Sequence, residues 1–388
     1  MRSRLVLGAA GLMGALIVTS ATLSQGAPKK TGVRGTQVSV IRTPDRGIQP
    51  QAAVDAEGNL HLVFFKGTPG AGDVFYVRRA AGSSEFSSPL QVNSQAGSAI
   101  AVGTIRGAHL ALGKGGRVHV AWNGSNAAKI DGKNPMLYTR LNDAGDRFEP
   151  QRNVIQTAYG LDGGGSVAAD DEGNVFVAWH AGDKEANRRL WVAVSHDEGQ
   201  TFAPETQAST TGGACGCCGM RAAADHNGTL YMLYRSARDG KNRDMHLVTS
   251  TDGGRSYQET AVDKWDIATC PMSSEAFAIG DKSVIAAWET EGQVLFSILD
   301  GKTHRTGKTL KPAGGEKNRK HPSVATNSNG DVLLAWTEGT GWERGGALAW
   351  QMFDKSGKAT QKGRQEGVPV WGLPTAVTTP DGNFVIVY

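Results

Sequence analysis

Hydrophobic and polar positions follow one phrase repeated seven times along the chain. It consists of a small or apolar pair, a turn carrying Asp, Asn or Gly, and an alternating strand that closes on an aromatic residue. The copies are AAVDAEGNLHLVF, LALGKGGRVHVAW, VAADDEGNVFVAW, AAADHNGTLYMLY, FAIGDKSVIAAW, VATNSNGDVLLAW and AVTTPDGNFVIVY. They close on Phe64, Trp122, Trp179, Tyr234, Trp288, Trp336 and Tyr388, 48 to 58 residues apart. Alternation with period two is the mark of a strand with one face on a core, and the glycine at each turn makes the phrase a hairpin. A repeat of roughly 50 residues is the size of a four-stranded sheet and longer than most solenoid units. The expectation is an all-β chain, a β-propeller of four-stranded antiparallel blades, seven in number with six as the alternative. The last phrase runs into the C-terminus and leaves its blade incomplete, while TQVSVIR (Thr36 to Arg42) reads as an outer strand without a partner. Pairing these two strands closes the ring and hides both edges.

Composition changes this picture little and excludes several others. Glycine supplies 52 of 388 residues, nearly twice the roughly 7% of an average protein. Glycine costs about 1 kcal/mol in a helix interior but fits turns that need positive φ, so a helical bundle is excluded. There is no collagen period, and 39% hydrophobic residues with nine tryptophans exclude wholesale disorder. Residues 1–26 carry Arg2 and Arg4, then an apolar stretch from Leu5 to Val18, then small and polar residues. This reads as a signal peptide, followed by a short linker at 27–35 and a single propeller domain at 36–388, in a protein that is secreted or periplasmic. The apolar stretch is shorter than the roughly 20 residues a membrane span needs, so no stable membrane span is expected after cleavage. Losing the two arginines lowers the formal charge from +4 to +2, which is no nucleic-acid-binding balance. Basic runs at Arg235 to Arg243 and Lys317 to His321 read most simply as solvated loops.

Between the phrases lies a second hairpin with its own signature. SHDEGQTF (Ser195, Asp197, Gly199, Phe202) and STDGGRSY (Ser250, Asp252, Gly254, Tyr257) share the pattern S-x-D-x-G-x-T/S-aromatic, and LNDAGDRF (Leu141 to Phe148) keeps its Asp, Gly and aromatic. The carboxylate accepts from turn amides, the glycine supplies a permissive backbone and the aromatic packs between blades. Here the chain resembles the Asp-box proteins, the bacterial neuraminidase repeat propellers that include the sialidases. The resemblance implies that the boxes are structural and sit on C–D turns, away from the functional face. It also implies an arginine triad for a substrate carboxylate, a tyrosine nucleophile with a glutamate, and an aspartate acid/base. The chain departs from that pattern where the first blade opens. GIQPQAAVD stands there, with Ile48 at the place of the first arginine, and Ile41-Arg42-Thr43-Pro44 comes several residues earlier. The cysteine loop and its neighbours are similar to a subgroup of sialidase-like proteins with cysteines on the functional face.

In such a fold the B–C loops and D–A links share one end, and most unusual residues of this chain fall there. All four cysteines lie in two adjacent links, GGACGCCGMR (Cys215, Cys217, Cys218) and WDIATCP (Cys270). Two disulfides, one joining Cys270 to the CGCC loop, are one reading. A Cu or Zn site on these thiolates with His180 is another, and a redox-active thiol pair a third. Arg221, Arg235 and Arg243 are candidates for an anionic ligand, with Asp244, Trp265, His321 and Trp371 beside them. An Arg–Asp network bracing the loop is the competing reading. Glu275, Glu289 and Asp266 are the candidate catalytic carboxylates of a glycoside hydrolase, while Trp265, Trp342 and Trp371 either stack on a sugar or plug the channel mouth. The chain is therefore expected to bind, and as an extension hydrolyse, an anionic glycan or glycoside at this face. The alternative is a periplasmic metal-binding or redox propeller.

Overall fold

The computed structural model describes residues 35–314 and 318–388. The signal-peptide expectation, the linker up to residue 34 and Lys317 lie outside them. Thr36–Tyr388 form one compact unit, a seven-bladed β-propeller. Every repeated phrase is the A–B hairpin of one blade, from Ile48–Val54 with Leu60–Thr68 in blade 1 to Thr375–Thr378 with Phe384–Val387 in blade 7. Blades 1 to 6 are four-stranded and antiparallel, each in simple sequential order. The D strands of blades 1 to 3 are two residues long. Among the described residues no helix is long and apolar enough to cross a membrane.

The seventh sheet joins the two ends of the domain. Val38–Ile41 pairs with Phe384–Val387, so the N-terminal segment covers the edge of the last hairpin. This sheet has three strands, and its closing pair runs parallel rather than antiparallel. Amides on both sides secure the closure: Thr43 donates to the Tyr388 carbonyl at 2.8 Å and Tyr388 to that of Ile41 at 3.2 Å.

The closing aromatics build the core. Phe64, Trp122, Trp179, Tyr234, Trp288, Trp336 and Tyr388 are all buried. Each lies in the layer between its own blade and the one before, as Trp179 does with Tyr138 and Tyr234 with Phe176. A repeat of about 50 residues thus yields seven equivalent apolar layers, which makes the ring rigid and frees the loops at one end to vary. Small residues of the inner strands, among them Ala52, Ala168, Ala222, Ala278 and Ala376, line a channel cavity of about 360 Å³.

The S-x-D-x-G turns are held by their own residues. Ser195 donates to Asp197 at 2.6 Å, and Asp197 accepts from the Thr201 amide at 2.9 Å and its hydroxyl at 2.6 Å. Ser250, Asp252 and Ser256 repeat the arrangement. Gly199 and Gly254, at φ 75° and 85°, donate their amides to the hydroxyls of Ser195 and Ser250. Phe202 meets Tyr138 edge-on at 4.9 Å, and Tyr257 packs on the layer between blades 3 and 4. Hydrogen bonding lowers the pKa of Asp252 to about 2; Asp197 also reaches about 2, its hydrogen bonds outweighing the opposing effect of burial. The LNDAGDRF turn works differently. Asn142 accepts from the Asp146 amide at 3.1 Å, while Asp143 pairs with Arg117 at 2.5 Å. Leu141 has no hydroxyl to orient Asp143, so the amide side chain takes over the turn.

Candidate functional site

The D–A links and B–C loops meet at one end of the ring. His321, which opens the A strand of blade 6, contacts Thr104 of the link into blade 2 at 3.2 Å and Ser274 of the link into blade 5 at 3.0 Å. Gln49 of blade 1 donates to the carbonyls of Ala101 at 2.6 Å and Trp371 at 3.1 Å. The throat inside this collar is lined by Gln51, Thr104, His109, Arg221, Glu275 and His321 among others.

Arg221 is the throat's guanidinium. It donates to Gln51, and among the described residues it forms no ion pair. Desolvation lowers its pKa to about 10. The histidines nearby are held neutral by the same cause: His321 falls to about 3, and His109, bonded to Ser166 at 2.7 Å, falls well below its usual value. His180 is buried against the Cys218 carbonyl at 3.0 Å and drops to about 4 through desolvation. Its Nδ1 has no hydrogen-bond partner.

The basic runs are split: Arg235, Arg243 and Arg319 are buried in the protein, while Arg238 and Lys241 stay exposed as the solvated-loop reading expects. Arg235 is 1% exposed and spends its donors on the Ser273 hydroxyl at 2.9 Å and the carbonyls of Arg243 and Glu289, with Trp265 stacked at 4.9 Å. Arg243 meets Glu185 with both terminal nitrogens, at 2.9 and 3.2 Å. Asp244 accepts from the Trp265 amide at 3.0 Å and from Arg238 at 3.1 Å. Arg319 is likewise buried, near Glu338 at 3.5 Å and over Trp336 at 5.2 Å. Arg42 bonds the carbonyls of Glu366 and Gly367 and lies over Tyr388, so it braces the ring closure.

Glu275 and Glu289 are both buried, at 5% and 1% exposure. Burial raises Glu275 well above the usual carboxylate range, and both of its oxygens lack a hydrogen-bond partner. Burial raises Glu289 to about 7, against the opposing pull of Lys320 at 3.7 Å. Glu275 lines the throat; Asp266 is exposed, on the link that follows blade 4.

Beside the throat lies a second cavity, of about 250 Å³, that the sequence did not single out as a unit. Cys270, Pro271, Met272, Lys320, His321, Trp342, Arg344 and Trp371 are among its walls. Trp342 is 59% exposed and stands edge-on to the buried Trp371 at 4.7 Å and 77°. Trp371 takes φ 62°, a strained value for a bulky residue, and its carbonyl is held by Gln49. Of the three tryptophans considered above, Trp265 and Trp371 are interior and Trp342 alone projects. Among the described residues Arg344 forms no ion pair, and Lys320 bonds the Pro271 carbonyl. Arg344 escapes sequence reasoning because it carries no motif, and Lys320 reads there only as part of a solvated basic run.

The four cysteines form two disulfides, Cys215–Cys218 within the loop and Cys217–Cys270 across the boundary between blades 4 and 5. Bonded in this way, the sulfurs of Cys215, Cys217 and Cys218 lie within 4.8 Å of one another but offer no thiolates, so the metal expectation applies only to a reduced chain.

No protein-family model matches the sequence, and no curated protein does. Solved structures do match. The Hadza microbial sialidase shares 14% identity at a TM-score of 0.50, over 80% of this chain and 70% of that one. Aleuria aurantia lectin, in complex with Fucα1-6GlcNAc, gives 13% and 0.52 over 84% and 96%. The Penicillium chrysogenum α-L-arabinanase, complexed with arabinobiose, gives 12% and 0.51 over 83% and 98%. At such identities the likeness is one of fold.

Proposed function

We propose that the protein binds an anionic carbohydrate in the 250 Å³ cavity at the loop end of the ring. The observation that carries this is the exposed Trp342 standing against Trp371 beside the guanidinium of Arg344, which forms no ion pair among the described residues. An indole presents a broad apolar face to the C–H side of a sugar ring, and a guanidinium takes a carboxylate or sulfate through two parallel hydrogen bonds. Arg221 supplies a second cationic group in the adjoining throat. The sialidase, lectin and arabinanase among the fold's neighbours act on or bind sugars, which supports the same class of ligand. The protein works in this reading outside the cytoplasm, as the N-terminal signal pattern and the paired cysteines suggest.

Titration with sialosides, uronates and sulfated sugars beside their neutral counterparts tests the proposal. Binding is expected for the anionic set, with Trp342→Ala and Arg344→Ala each weakening it about tenfold, the equivalent of roughly 1.4 kcal/mol. A flat response across the panel overturns it. Product release from fluorogenic glycosides, lost in Glu275→Gln, would extend binding to hydrolysis.

A further inference from the structure

The two disulfides differ in access but touch one another. Cys215 and Cys218 are fully buried, Cys217 is partly buried and Cys270 is exposed on the cavity rim. The Cys217 sulfur lies 3.5 Å from that of Cys215. A thiolate formed at Cys217 therefore has the next disulfide within contact distance, with no rearrangement of the backbone needed to find it. The CGCC loop is fixed from both sides: Cys215 donates its amide to the Arg235 carbonyl at 2.9 Å, and Gly219 donates to that of Ser273 at 2.8 Å.

We infer that the four cysteines form a thiol–disulfide relay that accepts two electrons from an external dithiol at Cys270 and delivers one of the two resulting thiols to the buried Cys218. The reductant is a protein or small-molecule dithiol. Its thiolate attacks the Cys270 sulfur, the accessible one, and the Cys217–Cys270 bond breaks with Cys217 leaving as thiolate. That thiolate attacks Cys215 across the 3.5 Å contact; a Cys215–Cys217 bond forms and the Cys215–Cys218 bond breaks. Cys218 leaves as thiolate and takes up a proton. The second thiol of the reductant then attacks the mixed disulfide, releasing Cys270 and closing the reductant's own disulfide. Two electrons and two protons leave the dithiol; the protein gains thiols at Cys218 and Cys270 and keeps one disulfide. The relay does not rest on the carbohydrate reading, because it is measured with no sugar present.

The test treats the oxidised protein with one equivalent of dithiothreitol, traps thiols with an alkylating agent in acid quench and maps the adducts by peptide mass spectrometry. The relay predicts adducts on Cys218 and Cys270 and a Cys215–Cys217 disulfide. Adducts on Cys217 and Cys270 with Cys215–Cys218 intact would overturn it, and so would a protein that resists the dithiol altogether. In Cys217→Ser, Cys215–Cys218 persists and the Cys218 adduct is expected to be lost. Native circular dichroism and an unchanged elution volume separate that loss from unfolding.

Discussion

The Asp turns at one end of the ring and the collar at the other hold their polar groups in different ways. In the turns the Asp partners are close in sequence: Asp55 accepts from the Asn59 amide, Asp170 from that of Asn174, Asp225 from that of Thr229 and Asp197 from that of Thr201, each four residues on. In the collar several partners are distant. Arg221 reaches Gln51, Arg243 reaches Glu185 and His321 reaches Thr104 across 170, 58 and 217 residues of chain. Local satisfaction makes a turn that folds with its own hairpin. Distant satisfaction makes a collar whose groups exist only in the closed ring, and it leaves some atoms unpaired, as at Glu275 and His180. Buried polar atoms without partners are costly and mark where structure has been kept for something other than stability.

The largest effect expected from breaking this contrast is at Arg235. Arg235→Ala removes three hydrogen bonds at the collar and the positive neighbour of Glu275 and Glu289. A loss of about 3 kcal/mol in denaturant unfolding follows from stranding buried polar and charged groups. Arg235→Lys should recover little of it, since an ammonium cannot meet three acceptors in the plane of the guanidinium.

Asp197→Ala should cost less, about 1 kcal/mol, because its partners can turn to water at an exposed turn. A loss at Asp197 equal to that at Arg235 would mean that the turns, rather than the collar, carry the ring. The two ends should also separate by pH. Asp197 and Asp252 have folded values near 2, below the ordinary carboxylate value. Their contribution is full above about pH 4 and is lost as pH falls towards 2. Glu289 is raised to about 7, so its contribution is full below about pH 4.5 and is lost as pH rises through 7. The buried histidines at the loop end, with lowered values, act in the other direction on acidification, so the comparison is best made by difference. Relative to the wild type, Glu289→Gln should gain thermal stability as pH rises from about 4.5 to 7. Asp252→Ala should differ from the wild type least near pH 2. A pH-independent difference for Glu289→Gln would show that its carboxyl is ionised throughout.

The smallest effect is expected on the rim. Arg364→Ala breaks exposed pairs with Glu338 and Glu366, and no change in unfolding midpoint should be measurable.

Much of the fold was legible because its instructions are repeated and local. Alternation, a turn residue and a closing aromatic mark seven hairpins, and each aromatic from Phe64 to Tyr388 lies in an inter-blade layer. The pairing of Val38–Ile41 with the last strand was legible from an edge that needed covering, though its parallel direction was not. The candidate site was legible as a face and not as an arrangement. That Arg235 and Arg243 turn inward, that Lys320 reaches Glu289 and Pro271, and that Trp342 projects while Trp371 is buried depend on neighbours far away in the chain.

The amino-acid sequence by itself determined a propeller of seven repeated hairpins, the turns that hold them and the end at which its unusual residues gather, since hairpins and S-x-D-x-G turns are decided by residues within a few positions of each other. The tertiary structure decided which sulfurs pair, which cations stay free and where a cavity opens. Those outcomes depend on closing the ring, which brings links about 50 residues apart or more into contact, and on the desolvation that only the closed ring imposes.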